Sequence, residues 1–411
     1  MKRILFVAHR FWPYPGGSER LFYELAVRTA NRGHEVAVYT TDAWDPESFH
    51  KSWKKRLPPG TTQIDGIHLT RFPIRYIPWQ FKILGGLSLI PFDPIRLLVG
   101  FPHILVPGYL EQMFIRQPEF NLIVAGVFPH THMVYPAAWL ANRHGVPWVA
   151  MPLIHTGHKD GSPLRGYLES PRTRLLRHAR SIITLTEAEA GPLVRNGIDA
   201  GKIHSIGLGV DASAISGGDP LRFRNRYGII GPIVLQISTQ TRAKGSVDLV
   251  EAMKKLWAEG SQAKLVMLGP VTTDFEEYML AQSPSVYEKT AVLGFASDET
   301  KRDALAAADV FVMASSADAF GAVYLEAWMY EKPVVAARAG GAPYIVSDGG
   351  DGLLVEYGDS GSLAAGIRRL LTDDALRLRL GKAGREKALS RFTWEKTFDR
   401  FWDEIGPLLG S

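Results

Sequence analysis

The residues best placed to do chemistry lie in one run, Ser315-Ser316-Ala317-Asp318-Ala319-Phe320-Gly321-Ala322-Val323-Tyr324-Leu325-Glu326-Ala327. It holds two carboxylates in an Asp318-x7-Glu326 spacing, on either side of a Phe-Gly pair. The apolar residues 310–313 before it read as a buried strand, and a helix is expected to start near Gly321 with Glu326 in its first turns. Strand, small loop and helix N-terminus together make an anion site, because free backbone N–H groups and the helix dipole point at the loop. Flanking carboxylates accept hydrogen bonds from hydroxyls. The run therefore suits a ligand that carries both phosphates and hydroxyls. The plainer alternative makes Asp318 a loop cap and Glu326 a solvated helix residue.

Three other loops carry candidates. Ser238-Thr239-Gln240-Thr241-Arg242-Ala243-Lys244-Gly245 follows an apolar strand and precedes a helix, and Lys244 there can neutralise a diphosphate leaving group. Pro152-Leu153-Ile154-His155-Thr156-Gly157-His158 also follows a strand, so His155 is expected at a strand's C-terminal end, where open α/β sheets bind ligands. His158 is the alternative, and a satisfied loop histidine the plain one. Pro15-Gly16-Gly17-Ser18-Glu19 joins the first strand to the first helix, where Gly16 and Gly17 let the backbone approach an anion closely. Gly-x-Gly-x-x-Gly is absent from it, so it is not a dinucleotide fingerprint.

These blocks resemble the motifs of the retaining GT-B glycosyltransferases, in particular the large family 4. The donor signature of that family is Glu-x7-Glu in a Ser-x-x-Glu-x-Phe-Gly context, and here Asp318 stands one methylene short at its first position. The resemblance implies that Glu326 holds the ribose hydroxyls of a nucleotide-sugar and that Asp318 lies near the donor sugar. Phe320, Gly321, Ala322 and Val323 join the donor-binding set at the helix start. It also implies that His155 lies beside the donor sugar and that Lys244 meets the diphosphate. The family's arginine five positions before the Lys-Gly pair is Thr239 here, and Arg242 is a candidate replacement. Ala339-Gly340-Gly341-Ala342-Pro343 resembles the family's Gly-Gly-x-Pro turn near the diphosphate. Asn31-Arg32-Gly33-His34-Glu35-Val36 matches another family block, in which His34 is read as a structural turn residue.

The elements that must position these residues alternate along the chain. Strand-like runs at 4–7, 36–39, 122–127, 146–151 and 182–185 interleave with helical patterns, the first of them expected to be capped by Ser18. Runs at 233–237, 264–268, 291–293, 310–313 and 334–336 repeat the pattern, which argues for α/β with doubly wound parallel sheets. The expected architecture is two Rossmann-like domains, which the resemblance sets facing a cleft, the GT-B fold. We place an acceptor-side domain at 1–211 and a donor-binding domain at 212–391, with the linker in 211–220. The resemblance implies that a last helix within 392–411 crosses back to the first domain. Residues 77–117 break the alternation with uncharged runs at 83–92 and 97–110, interrupted by Pro91, Pro94, Pro102 and Pro107. Neither run reaches the roughly 18–20 apolar residues of a spanning helix. They are read as a buried helical hairpin, an acceptor-site lid or a surface that touches a bilayer.

Composition bounds the rest. The 411 residues are too many for one ordinary core, and no cysteine is present to form a disulfide, a thiolate site or a nucleophile. The first 211 residues carry 24 Lys+Arg against 16 Asp+Glu, so the basic character of the chain, net +5, belongs to that half. A basic half fits phosphorylated acceptors or an anionic membrane surface. No nucleic-acid motif accompanies it. The absence of any Asp-x-Asp triplet fits a site that needs no metal or other cofactor. The expected activity is transfer of a sugar from a nucleotide-sugar to a sugar, lipid-linked or small-molecule acceptor, in the cytoplasm or at the inner membrane face. A nucleotide-sugar epimerase and a non-catalytic nucleotide-sugar-binding protein are the alternatives.

Overall fold

The computed structural model describes residues 1–157 and 166–410, so His158 lies outside the described residues. The chain forms two compact units. The first comprises Met1–Ile154 with the described residues of Ser162–Gly207 and Thr397–Ser411. The second comprises residues 155–157 and Leu208–Lys396.

The first unit is built on β1 (Arg3–Val7), β2 (Glu35–Thr41), β3 (Gly60–Ile64), β4 (Ile67–Phe72), β5 (Leu122–Gly126), β6 (Trp148–Met151), β7 (Ser181–Thr184) and β8 (Ile203–Ser205). They lie in the order β3-β4-β2-β1-β5-β6-β7-β8, parallel except for the β3–β4 pair. Ile4, Leu5, Phe6 and Val7 are all fully buried, as expected of a parallel strand covered on both faces. The helix Gly17–Asn31 covers one face with Leu21, Phe22, Leu25, Ala26 and Thr29. Its N-cap is Gly16, and Ser18 does not cap it; the Ser18 hydroxyl bonds to Glu19 Oε2 at 2.8 Å instead.

Three strands of this unit escape the sequence pattern. Strand β3 is solvent-exposed along nearly its whole length, so it carries no apolar alternation. Its hairpin partner β4 follows an Asp65-Gly66 turn, a pair that often closes hairpins. Strand β8 has only 3 residues. From Thr397 onward the helix Trp394–Ile405 belongs to this unit: Phe401 packs on Phe6 with ring centroids 6.2 Å apart, and Arg400 Nε donates to Ile206 O at 2.7 Å. Phe398, Phe401 and Ile405 are buried, each contributing about 1.5–3 kcal/mol relative to exposure. His34 packs against Trp402 with the rings tilted and their centroids 5.2 Å apart, a structural role for that turn residue.

Residues 77–117 include the helices Gln80–Ser88, Asp93–Val99 and Pro107–Glu111; Leu97, Ile104, Val106 and Tyr109 join the core of the unit, and Leu84 is buried. The outward side leaves Trp79, Phe81, Leu89, Phe92 and Phe101 at least half exposed. Among the described residues no helix is long and apolar enough to cross a membrane.

The second unit has β9 (Ile233–Ile237), β10 (Lys264–Leu268), β11 (Thr290–Val292), β12 (Val310–Met313), β13 (Val334–Ala337) and β14 (Gly352–Val355) in the order β11-β10-β9-β12-β13-β14, all parallel. Residues 211–220, expected as a linker, lie wholly within this unit. They include the turn of helix Ala212–Ile215, and the Gly218 N–H donates to Tyr330 Oη at 3.0 Å.

Candidate functional site

In the second unit the strand order reverses between β9 and β12, and ligands of open α/β sheets bind beyond the strand ends at such a point. The loops that leave β9, β12 and β13 at their C-terminal ends hold one another by backbone bonds. Ser316 N donates to Ala243 O at 2.8 Å, and Gly341 N donates to Asp318 O at 2.7 Å. Residues 155–157 run against the same loops. A Cβ on Gly157, whose φ is +104°, would collide with Gly340 N and Ser316 O. Glycine is therefore required there for the segment to close on the loops. His155 is exposed and Thr156 buried on this segment.

Two ion pairs define the chemistry. Lys244 Nζ pairs with Asp318 Oδ1 between the β9 and β12 loops. Lys301 Nζ donates to Glu326 Oε1 at 2.6 Å, joining the helices Asp298–Ala307 and Ala322–Met329. In each pair the second carboxylate oxygen, Asp318 Oδ2 or Glu326 Oε2, is buried with no hydrogen-bond partner in the protein. A buried acceptor left unpaired costs roughly 1–3 kcal/mol. Lys244 is further fixed by the buried Gln236, whose Nε2 donates to Lys244 O at 3.0 Å.

The helix Ala322–Met329 starts at Gly321 with φ +86°, and a Cβ there would strike the Tyr324 ring. Tyr324 Oη donates to Met313 O at 2.9 Å and Trp328 Nε1 to Asp351 O at 3.0 Å, so both ends of the helix are anchored. Its first N–H groups, at Ala322 and Val323, have no acceptor within the helix by its geometry.

The expected residues divide accordingly. Lys244, Asp318, Gly321, Ala322, Val323, Glu326 and His155 all belong to the second unit. The Phe320 side chain is buried and packs edge-on to Phe392 at 5.5 Å. Arg242 is exposed, and its charge bears on Asp248 and Tyr278 of neighbouring helices. Gly16 and Gly17 belong to the first unit, where Gly16 lies against the Glu19 carboxylate. Lys301 went unseen in the sequence, because no motif links it to a carboxylate 25 positions away.

The first unit has its own reversal point, between β1 and β5. Beyond those strand ends His9 and His130 stack in parallel, 3.9 Å between centroids at 5°, with His132 5.9 Å from His130. Arg10 Nη2 pairs with buried Glu19 at 2.7 Å. Burial pushes His9 and His130 well below the ordinary imidazole range and His132 down to about 3, so all three are neutral at pH 7. Sequence reasoning passed over this cluster. A Pro-His-Thr-His block after a strand was the available signal, the same one used for His155. Among the described residues no group of three or more His, Asp or Glu could hold a metal ion.

Comparison with known proteins gives two family models that together span most of the chain. Glycosyl transferases group 1 matches residues 223–387, and a glycosyl transferase 4-like domain matches residues 16–209. The chain is 31% identical over 412 residues to the D-inositol 3-phosphate glycosyltransferase of Xylanimonas cellulosilytica, covering 93% of this chain and 89% of that protein. Anabaena Alr3699/HepE in complex with UDP and glucose has a similar fold, with a TM-score of 0.73 at 20% identity, covering 99% of this chain and 100% of that one. The sucrose-phosphate synthase of Thermosynechococcus elongatus is similar at a TM-score of 0.73 and 21% identity, over 100% of both chains. The two α/β units are those of the GT-B fold.

Proposed function

The chain belongs to the group 1 glycosyl transferases and transfers a sugar from a nucleotide-sugar; from that premise we propose that it does so with retention of anomeric configuration and without a metal ion. The observation that carries the reading is the pair of lysine-bound carboxylates at the β9/β12 reversal, each with one buried oxygen awaiting a donor.

In this reading Glu326 Oε2 accepts hydrogen bonds from the ribose hydroxyls. The diphosphate lies between Lys244 and the helix N-terminus at Ala322 and Val323, where cationic and N–H donors match the charge that grows on it. As the diphosphate binds, Lys244 turns to it from Asp318, and Asp318 is released to the donor sugar. His155 orients that sugar and shields its anomeric carbon. The bond from that carbon to the phosphate oxygen breaks, the acceptor oxygen bonds to the same face, and the acceptor proton passes to the departing phosphate. Binding strength matters here only where it exceeds that in the ground state, and Lys244 gains most because the leaving group carries more charge in the transition state.

The first unit takes the acceptor-side role in this proposal. Its basic composition and its exposed Trp79, Phe81, Leu89, Phe92 and Phe101 support an anionic or lipid-linked acceptor met at the cytoplasmic face of an anionic membrane. The Xylanimonas relative, named for a phosphorylated inositol, supports an anionic acceptor equally.

Thermal shift against UDP-, GDP-, ADP- and TDP-sugars tests the donor site on wild type and Glu326→Ala. A donor at ~100 times its Kd stabilises the native state by about 2.7 kcal/mol. A shift with one nucleotide class, abolished in the variant, is the expected outcome. A folded wild type that responds to none of them would overturn the reading.

A further inference from the structure

We propose that Lys301 is a positioning residue of the donor site: it holds Glu326 by one carboxylate oxygen so that the other faces the ribose. The proposal rests on the ribose role given to Glu326 above and extends it to a residue outside every motif in the chain.

The geometry divides the Glu326 carboxylate into two halves. Oε1 receives the Lys301 ammonium at 2.6 Å, while Oε2 is buried and unpartnered. A glutamate has three rotatable side-chain bonds, and without a partner it samples several rotamers that a ligand must then freeze. The ion pair removes that freedom before the ligand arrives, so the ordering cost does not fall on binding.

The pair can do this because both helices that carry it are held from behind. On the Lys301 helix, Asp303 accepts two bonds from the Arg222 guanidinium, at 2.6 and 2.7 Å, and a third from Asp219 N at 2.8 Å. Ser297 caps its start, accepting from Thr300 N at 3.2 Å. On the Glu326 helix, Tyr324 and Trp328 bond to Met313 O and Asp351 O. The Lys301 and Glu326 side chains are each about one-quarter exposed or less, so water competes weakly for the pair. The ammonium engages Oε1 alone, so Oε2 keeps its lone pairs for hydroxyl donors. An ion pair that merely ties two helices together would not need one oxygen left buried and unpartnered.

The test compares a ribonucleotide with its counterpart that lacks both hydroxyls. Dissociation constants are measured by titration calorimetry for UDP, GDP and ADP and for the 2′,3′-dideoxy form of each. The proteins are wild type, Glu326→Gln, Lys301→Met and Lys301→Arg, each first checked for a cooperative melt. The wild type is expected to prefer its ribonucleotide by about tenfold or more, since a buried acceptor loses its partner in the dideoxy form. Lys301→Met is expected to cut that preference to about threefold or less by weakening the ribonucleotide alone, with dideoxy binding unchanged; Lys301→Arg, which keeps the charge, is expected to retain most of it. A Lys301→Met protein that keeps the full preference, or that weakens both ligands equally, overturns the proposal. If Lys301→Met does not fold, Lys301→Gln takes its place with the same two outcomes. A wild type with no preference refutes the ribose reading itself, and is distinguishable because it shows before Lys301 is changed.

Discussion

The two sheets reverse strand order in the same way, yet the side chains gathered at the two reversals differ in kind. Beyond β1 and β5 the first unit gathers three neutral imidazoles, two of them stacked, around one Arg10–Glu19 pair. Beyond β9 and β12 the second unit sets two lysine–carboxylate pairs, partly exposed, each with an unused oxygen. Topology thus fixes where a ligand can sit, while burial decides what charge can be kept there. Deep burial in the first unit drives the histidines to their uncharged form. In the second unit the lysine and carboxylate side chains are partly exposed and stand in pairs.

Removing Lys244 should break this contrast most severely. Lys244→Ala leaves Asp318 an unpaired carboxylate where the diphosphate should bind, and loss of a donor to developing negative charge typically costs about 10²–10³ in kcat. Steady-state kinetics with the donor fixed by thermal shift would show it, and a loss under about threefold would mean that the diphosphate lies elsewhere.

The first unit's side of the contrast can be broken with acid. His132 has a folded pKa of about 3 against an ordinary 6.5, so its contribution is fully present above pH 6.5 and is lost as pH falls toward 3. Between those limits stability should fall by about 1.4 kcal/mol per pH unit for this residue. Glu189, raised to about 7 by burial, acts in the opposite sense as pH rises from the ordinary carboxylate range, so wild type must be compared with His132→Asn. Urea unfolding at several pH values from 7 to 4 should show the wild type losing more than the variant; parallel curves would mean that His132 is protonated in the native state.

A third region sharpens the difference between the units, because only the first carries the apolar surface of residues 79–101. Joint replacement of Trp79, Phe81 and Leu89 by Ser should reduce sedimentation with anionic vesicles at least tenfold. Stability should change by no more than about 0.5 kcal/mol for each exposed site. Unaltered vesicle binding, or none by the wild type, would remove the membrane from the proposal. The smallest effect belongs to Arg242→Ala. With its charge directed toward Asp248 and Tyr278, turnover should fall by less than about tenfold. A loss as large as that of Lys244→Ala would make Arg242 a diphosphate ligand.

How much of this was legible in the chain depended on whether a signal was local. Buried parallel strands such as β1, β9 and β12 show as continuous apolar runs, and helices show by their periodicity. Strand β3 did not, because an exposed edge needs no apolar face. Ser18 has the right chemistry for a helix cap, but Glu19 engages its hydroxyl. Phe320 belongs to a binding motif by sequence, yet packing against Phe392 takes its ring.

The sequence by itself determined the α/β class, the two-unit division in outline and the family, because strand–loop–helix order and the Asp318-x7-Glu326 block are local patterns. It also marked Lys244, Asp318 and Glu326 as candidates for one site. Only the tertiary structure decided how those charges are partnered. The Lys244–Asp318 pair spans 74 positions and Lys301–Glu326 spans 25, distances over which no periodicity relates two side chains. Likewise, the neutrality of His9, His130 and His132 comes from the sheet and helices that exclude water around them, and no spacing along the chain encodes that exclusion.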